Sequence, residues 1–355
     1  MNKRVLLGMS GGVDSSAAAY ILKEKGYEVI GATMKLKEVE GQKSNACALS
    51  SAANDAKKVC DILNIPFYEF DFKEIFEIRI MNYFVNEYNA GRTPNPCVAC
   101  NKFIKFDMFY KKAVELGADY MSTGHYAKVE YDPAMERYLI KKSVSQDKDQ
   151  TYVLYNLTQN QLKHILLPLG NYTKDEIRKL AEKIGLGVAD KPDSQEICFI
   201  EDNDYVRFIK ENTGVEPAVG NYIDTKGNIL GKHKGIINYT IGQRKGLGIA
   251  VGRPLYVVDI IADKNLVVLG DEELIFKKEL IAEDVNYIPF DNLNDPMNVK
   301  AKIRYTAKES DAIIFPLGEN KVKVSFDKEQ RAVTKGQSVV FYKEDVLVGG
   351  GIIVS

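Results

Sequence analysis

The chain has 355 residues, enough for two or three domains, and its 45% hydrophobic and 27% charged content lies near the averages of globular proteins. The sequence has no apolar run long enough to span a bilayer, and its first residues, MNKRVLLGMSGG, contain too short an apolar stretch for a secretory signal. We therefore expect a cytoplasmic protein with no membrane partner. A formal net charge of −1 excludes a global basic field, so any binding of nucleic acid has to come from local patches.

Strand-like and helix-like segments alternate through the first half of the chain. The predicted strands are Arg4–Met9, Glu28–Leu36, Pro66–Phe72 and Ala118–Ala127. The predicted helices are Ser15–Lys25, Ala46–Leu63, two that flank a loop at Gly91–Asn101, and one that opens at a capping box of Thr173 and Glu176 and runs to about Ile184. This alternation predicts an α/β fold with a parallel sheet whose faces are covered by helices.

The pattern changes after about residue 215, where short alternating runs are broken by glycines. Examples are RPLYVVDIIADKNLVVLG and the closing QSVVFYKEDVLVGGGIIVS. Such runs predict antiparallel β modules, with boundaries near residues 205–215 and 275–285.

The segment Ser10–Ser16, SGGVDSS, lies between the first predicted strand and the first predicted helix. Its two glycines let the backbone approach a phosphate closely, and the N–H groups at the start of the helix favour an anion. Asp14 beside a phosphate points to a cation between them, which indicates Mg²⁺. The segment lacks the G-K-[ST] ending of a P-loop and the full G-x-G-x-x-G of a dinucleotide fold. The alternative interpretation is an ordinary glycine turn with a serine cap.

The SGGVDSS motif resembles the pyrophosphate loop of the adenine nucleotide α-hydrolase-like superfamily. That resemblance implies binding of ATP, adenylation of a substrate oxygen and release of pyrophosphate. Met34 lies near the end of the second predicted strand, where such folds hold adenine, although a core methionine fits this spacing equally well. Gly124 and His125 end a further predicted strand at the same carboxyl edge, where open α/β sheets bind ligands.

The five cysteines predict reduced thiols. Cys97 and Cys100 lie in TPNPCVACNKFIKF, and Cys198 lies in DSQEICFI. Cationic neighbours and a following helix N-terminus should lower the thiol pKa in the first of these segments. A structural zinc site would need a second C-x2-C, which the sequence lacks. Cys47 and Cys60 lie on one amphipathic predicted helix, and we expect both to pack in the core.

Segments along nearly the whole chain form an ordered set: GMSGGVDSS, GRTPNPCVACNKFIKFD, TGHYA, KDQTYVLY, DSQEICFI, TIGQRKGLG, and GQSVVFY with LVGGGII. In this order they resemble the tRNA-specific 2-thiouridylase family. The resemblance implies a tRNA-uridine 2-sulfurtransferase that uses ATP to adenylate the C2 oxygen of the wobble uridine, and Mg²⁺ is the cation that Asp14 indicates. It also implies two partners, tRNA and a sulfur-donor protein, either a cysteine desulfurase or a sulfur relay protein.

The family resemblance implies three domains. They are an adenine nucleotide-binding catalytic domain at residues 1–208, a central β-rich domain at 209–278 and a C-terminal β-barrel at 279–355. The implied nucleotide-binding residues are Gly8, Met9, Ser10, Gly11, Gly12, Val13, Asp14, Ser15, Met34 and Gly124, with Asp14 also catalytic. The implied tRNA-binding residues are Asn95, Pro96 and Cys97 at the target base, with His125, Lys148, Asp149, Gln150, Arg304, Tyr305 and Gln337.

Two sulfur chemistries stay open. In the first, which the resemblance implies, Cys100 is the nucleophile and Cys198 carries a persulfide, and the two can pair as a disulfide during the cycle. In the second, Cys97, Cys100 and Cys198 hold three irons of a [4Fe–4S] cluster whose fourth iron binds the transferred sulfur.

Basic residues are concentrated in two places. Between Tyr222 and Arg253 there are six basic residues against one acidic residue, and a second group is Lys302, Arg304, Tyr305 and Lys308. A solvated face is the alternative for either patch. Two rival functions also stay open. A small-molecule adenylating synthetase or amidotransferase would need no paired-cysteine loop, and a non-catalytic RNA-binding module would need no SGGVDSS.

Overall fold

The computed structural model describes residues 3–37, 51–185, 197–200, 202–249, 252–318 and 320–355. The chain divides into two compact units. The first comprises Met1–Ile80, Cys97–Gln195 and Asp345–Leu347, and the second comprises Met81–Pro96, Glu196–Glu344 and Val348–Ser355. The predicted three-domain division stays a prediction.

The elements are as follows in chain order. The strands are β1 Arg4–Gly8, β2 Glu28–Lys35, β3 Phe67–Asp71, β4 Tyr120–Ser122, β5 Ala127–Asp132, β6 Arg137–Lys142, β7 Ile165–Leu166, β8 Gly220–Ile223, β9 Ile229–His233, β10 Tyr256–Ile261, β11 Leu266–Gly270, β12 Phe276–Tyr287, β13 Met297–Lys302, β14 Ser310–Pro316, β15 Lys321–Arg331, β16 Ser338–Lys343 and β17 Val346–Ile353. The α-helices are α1 Val13–Glu24, α2 Ser51–Leu63, α3 Lys73–Phe76, α4 Asn82–Asn89, α5 Pro96–Cys100, α6 Phe109–Glu115, α7 Gln159–Leu162, α8 Lys174–Lys183 and α9 Tyr205–Thr213. Among the described residues, π-helical segments are Glu77–Met81 and Asn101–Met108, and 3₁₀ turns are Gln146–Lys148, Thr151–Leu154, Pro168–Asn171, Ile236–Asn238, Ala262–Lys264 and Glu272–Ile275.

The first unit is built on a parallel sheet in the order β3-β2-β1-β4-β7, which confirms the predicted α/β class. The central strand β1 is buried, and Val5 and Leu7 pack in one core with Ala17, Ala18 and Leu22 of α1. Alanine favours helix and has a small side chain, so α1 can lie close to the sheet. β5 and β6 form an antiparallel hairpin in the same unit.

Two predicted segments differ from the structure. The single strand expected at Ala118–Ala127 is instead β4 and the start of β5, because the chain leaves the sheet after Ser122 and passes through Gly124. A Cβ added there would lie 2.9 Å from the backbone nitrogen of Ser15, so the chain passes against the first turn of α1. The predicted loop at Gly91–Asn101 contains α5, which begins at Pro96; proline suits the first helical position because its missing N–H is not needed there.

The second unit contains a four-stranded sheet in the order β10-β11-β8-β9, in which β11 and β8 run parallel, unlike the antiparallel pairing predicted throughout this region. Strands β12 to β17 form a barrel that the pairing of β12 with β17 closes. Alternate residues of β15 (Val322, Val324 and Phe326) enter its core. In the part of the chain that the structure describes, no helix is both long enough and apolar enough to cross a membrane.

Candidate active site

The predicted nucleotide loop connects β1 to α1. Gly11 has a φ of +71°, and a Cβ there would lie 2.3 Å from the carbonyl oxygen of Ala52, so only glycine fits. The hydroxyl groups of Ser15 and Ser16 donate to the Gly12 carbonyl at 3.2 and 2.8 Å and fix the turn from inside. Gly12 is the N-cap and has no side chain to cap the first-turn N–H groups. This is the arrangement that binds an anion at a helix N-terminus.

The carboxylate of Asp14 is held by two side chains of the same unit. The Tyr126 hydroxyl donates to Asp14 Oδ1 at 2.7 Å, and Lys174 Nζ lies 2.8 Å from both Oδ1 and Oδ2. The Lys174 side chain is 8% exposed and the Asp14 side chain 30% exposed. An ammonium group therefore neutralises the carboxylate, and this donor set does not fit a magnesium ion bound directly to Asp14.

The segment Lys148–Gln150 makes hydrogen bonds that fix the backbone of Tyr126, one of the two residues that hold the Asp14 carboxylate. Gln150 brackets the backbone of Tyr126: its Oε1 accepts from the Tyr126 N–H, and its own N–H donates to the Tyr126 carbonyl, both at 3.0 Å. Asp149 accepts from the Ser143 N–H and from the backbone and hydroxyl groups of Thr151, and burial raises the pKa of its carboxyl. The side chains predicted to contact tRNA at Asp149 and Gln150 thus make internal hydrogen bonds, while Lys148 is partly exposed.

Other predicted nucleotide-binding residues lie beside the loop. Met34 is half-buried at the end of β2, and its Cε lies 3.3 Å from the position that a Cβ of Gly8 would take. Gly124 touches the first turn of α1, as described above. The end of the sheet therefore brings Gly8, Met34 and Gly124 to the nucleotide loop.

His125 is buried next to these residues. Its Nδ1 lies 2.7 Å from the Thr123 hydroxyl, and its ring centre lies 5.7 Å from that of Phe106. Burial, and then the charge of Lys105, hold the pKa of His125 well below its usual value of 6.5. The imidazole is therefore neutral at physiological pH, and its predicted contact with tRNA stays a prediction.

Cys97 and Cys100 lie one turn apart on α5. Cys97 is exposed, whereas Cys100 is buried with 8% of its surface exposed. The following residue, Asn101, donates from Nδ2 to the Cys97 carbonyl at 2.9 Å. Its Oδ1 is buried and has no hydrogen-bond partner among the described residues. The lowered thiol pKa predicted for this segment stays a prediction.

The chain just before α5 is held by the loop between β15 and β16. The Gln337 side-chain amide donates to the carbonyl oxygens of Thr93 at 2.9 Å and Pro94 at 3.4 Å. The Thr93 N–H donates to the Lys335 carbonyl at 2.9 Å. Gln337, predicted to contact tRNA, therefore positions the segment that leads to Asn95 and Pro96.

Cys198 is exposed, and the two residues after it are buried. Phe199 packs against Phe84 and Phe208 with ring centres 5.5 and 5.0 Å away, so the thiol is carried on an anchored segment. The acidic residues that precede it in sequence, Asp190, Asp193 and Glu196, lie outside the described residues.

The remaining cysteine predictions concern the core and a metal site. Cys60 is fully buried with its Sγ 3.3 Å from Met9 Sδ, and burial raises its thiol pKa to about 12, which confirms its predicted core position. Cys47 lies outside the described residues. Within the described ranges, no group of three or more His, Cys, Asp and Glu side chains is placed to hold a metal ion.

The predicted basic patches are only partly available to RNA. All six basic residues of the first patch are exposed: Lys226, Lys232, Lys234, Arg244, Lys245 and Arg253. Arg253 also pairs with Asp271 at 2.9 Å. In the second patch, Arg304 donates to the Ala332 carbonyl, and Lys302 Nζ lies 5.4 Å from the ring centre of the exposed Tyr305.

Two residues of the site, Tyr126 and Lys174, were not predicted from the sequence. Tyr126 is part of the TGHYA segment, but nothing local to that segment indicates its bond to Asp14. Lys174 offered a signal, because it occupies the first position of α8, where the positive end of the helix dipole disfavours a cation. A buried cation at that position needs a nearby anion, and Asp14 provides it.

Comparison with known proteins gives a consistent result over the whole chain. Three family models match: a tRNA methyl transferase HUP domain at residues 3–202, a tRNA methyl transferase PRC-barrel domain at 206–271 and an aminomethyltransferase beta-barrel domain at 277–353. A tRNA-specific 2-thiouridylase MnmA of Acetivibrio thermocellus is 60% identical, with 99% of each chain covered. The proteins of that name from Clostridioides difficile and Caldanaerobacter subterraneus, the latter called MnmA 2, are each 58% identical, with 99% of this chain and 98% of theirs covered.

Proposed function

Since the chain belongs to the tRNA-specific 2-thiouridylase family, we propose that it is a sulfurtransferase that replaces the C2 oxygen of the wobble uridine of tRNA with sulfur at the expense of ATP. The observation that carries this proposal is the presence of two chemistries in one chain. The uncapped turn at Gly12 suits the phosphates of a nucleotide, and the exposed thiol of Cys198 suits sulfur loading by a donor protein.

The first step is adenylation. The C2 oxygen of uridine is a poor leaving group and must be activated before sulfur can replace it. It attacks the α-phosphorus of ATP, pyrophosphate departs, and the oxygen then leaves as part of AMP. The first-turn N–H groups of α1 hold the phosphates, while the end of the sheet at Gly8, Met34 and Gly124 takes the adenosine.

The second step is sulfur transfer through a persulfide. The terminal sulfur of a Cys198 persulfide attacks C2 and AMP departs, which leaves the base joined to Cys198 through two sulfurs. The Cys100 thiolate then attacks the Cys198 sulfur, releases 2-thiouridine and forms a disulfide that a cellular thiol reductant reopens. The iron–sulfur alternative stays open, and the residue that separates the two routes is Cys97.

A pyrophosphate assay with and without tRNA tests the proposal against its rivals. We expect pyrophosphate release that depends on uridine-34 tRNA and is followed by 2-thiouridine formation when a sulfur donor is added. Release without tRNA would favour a small-molecule synthetase, and tRNA binding without release would favour an RNA-binding module. Either result would overturn the proposal.

Replacement of Asp14 by alanine should abolish pyrophosphate release while tRNA binding is largely retained, because Asp14 is the carboxylate of the nucleotide loop. Filter binding and pyrophosphate release, measured on one preparation, check this. Normal release by the variant would remove Asp14 from the site.

A further inference from the structure

Lys174 is an unusual residue for its place in the fold. It lies at the first position of α8, directly after the Thr173 N-cap, where the helix dipole opposes a positive charge. Its side chain is 8% exposed, so its ammonium group is largely shielded from water. Such a group is retained only where an anion compensates for the missing hydration.

The anion that compensates Lys174 is the carboxylate in the nucleotide loop. Lys174 Nζ lies 2.8 Å from both oxygens of Asp14, and the Tyr126 hydroxyl donates to Oδ1 at 2.7 Å. The Tyr126 ring centre lies 5.9 Å from Nζ, and its backbone is fixed by Gln150. Side chains from three separate parts of the first unit therefore set the position of this charge.

This geometry disagrees with direct binding of magnesium by Asp14. Each carboxylate oxygen has two lone pairs; Oδ1 already accepts from both Tyr126 and Lys174, and Oδ2 accepts from Lys174, so a magnesium ion on Oδ2 would lie beside that ammonium group. Magnesium would need a carboxylate oxygen at about 2.0–2.1 Å within an octahedral shell, beside a fixed ammonium charge that repels it. The paired carboxylate also explains how an acidic residue is tolerated in a loop that binds phosphates.

We propose that Lys174, from the start of α8, supplies the positive charge at the nucleotide loop and stabilises the phosphates that leave as pyrophosphate. Asp14 and Tyr126 are then positioning residues that hold its ammonium group. Asp14 then acts through Lys174 and is not a magnesium ligand. The inference rests on the proposed use of ATP and assigns its phosphate chemistry to a pair of residues.

A double-mutant cycle on the whole chain tests the sign of the coupling between Lys174 and Asp14 in the free energy of nucleotide binding. Binding of ATP and of inorganic pyrophosphate is measured by calorimetry, with Mg²⁺ and with EDTA, for wild type, Lys174→Met, Asp14→Asn and the double variant. Lys174→Met leaves an unpaired carboxylate facing the phosphates, so we expect pyrophosphate binding to weaken roughly tenfold or more under both conditions. Adding Asp14→Asn to Lys174→Met should restore part of that affinity, because the repelling charge is gone.

A magnesium ligand at Asp14 makes the opposite prediction. Lys174→Met would then leave Mg²⁺-ATP binding intact, and Asp14→Asn would weaken binding further in that background and raise the Mg²⁺ concentration needed. That result would overturn the inference. If wild type binds neither ATP nor pyrophosphate, the proposed function fails instead, so the two failures are distinguishable.

Folding is controlled within the same set. Lys174→Met alone breaks a largely buried pair, whereas the double variant removes both charges and should recover thermal stability. If the single variant does not fold, Lys174→Arg and the double variant still decide the matter. Lys174→Arg keeps the charge and should bind pyrophosphate better than the double variant; equal binding would overturn the inference.

Discussion

The nucleotide loop and the cysteine helix are supported in different ways. The loop is held within one unit, and the two groups on its Asp14 come from residues 112 and 160 positions away in sequence. The cysteine segment lies where the chain passes from the second unit to the first, between Pro96 and Cys97. Gln337 holds the chain before α5 by donating to the Thr93 carbonyl, and Asn101 holds α5 itself by donating to the Cys97 carbonyl.

This difference matches the two steps of the proposed reaction. Phosphates are stabilised by donors fixed before the substrate arrives, so a loop closed by its own unit suits adenylation. Sulfur transfer needs a thiol that a donor protein can reach and a second thiol that resolves the intermediate. The exposure of Cys198 and the burial of Cys100 give these thiols different access to solvent.

The largest expected effect is a complete separation of adenylation from sulfur transfer by one substitution. Cys198→Ser should abolish 2-thiouridine formation but leave tRNA-dependent pyrophosphate release near the wild-type rate, because adenylation needs no thiol. Mass spectrometry of digested tRNA and a pyrophosphate assay measure the two steps. Cys60→Ala, in the core, is the matched control and should retain both. Thiouridine formation by Cys198→Ser would show that another thiol carries the sulfur.

A smaller effect is expected where the barrel loop holds the segment before α5. Gln337→Ala removes the donor to Thr93 and Pro94, so the base-contact segment loses its position and the rate of thiolation should fall about tenfold. ATP binding by the nucleotide loop should not change. Gln330→Ala is the control, because the Gln330 amide donates to the Lys328 carbonyl and accepts from the Ser310 hydroxyl, both on strands of the same barrel. A rise in the Kd for tRNA with an unchanged thiolation rate would instead favour direct tRNA contact by Gln337.

A still smaller effect is expected at the basic patch of the second unit. Reversing the charges of the exposed Arg244 and Lys245 should weaken tRNA binding and lower its salt dependence by about 0.7–0.9 units for each phosphate group that the protein no longer neutralises. Binding titrations at several salt concentrations give the slope. Reversal of Lys321 and Lys323, which pair with Glu283 and Glu279, controls for net charge. An unchanged slope would make this stretch a solvated surface.

The sequence predicted the position of the nucleotide loop, but it did not predict the side chains that hold the loop in place. The alternation of strands and helices and the glycines of SGGVDSS are local patterns, so the α/β sheet and the position of the loop could be predicted. The pairing of Asp14 with Lys174 joins residues 160 positions apart. Lys174 at the start of α8 signals that an anion is needed but not which one, so the carboxylate of Asp14 pointed to magnesium. Gln337 and Gln150 show the same limit: the motifs that contain them were recognised, but their internal hydrogen bonds depend on tertiary structure.

The smallest effect is expected for Cys97→Ser with Cys100 and Cys198 left in place. This substitution decides between the persulfide route and the cluster route. In the persulfide route, Cys97 is an exposed neighbour on α5 that takes no part in bond exchange, so Cys97→Ser should lower activity only a few-fold. In the cluster route, removal of one of three thiolates should abolish both bound iron and thiolation, even with inorganic sulfide as donor. The assay is 2-thiouridine formation under strict anaerobiosis with iron counted in parallel. Near-normal activity of the variant without iron would eliminate the cluster. Complete loss of activity, with folding, pyrophosphate release and tRNA binding intact, would make the two-thiol scheme untenable. We expect the first outcome, because two thiols already complete the exchange.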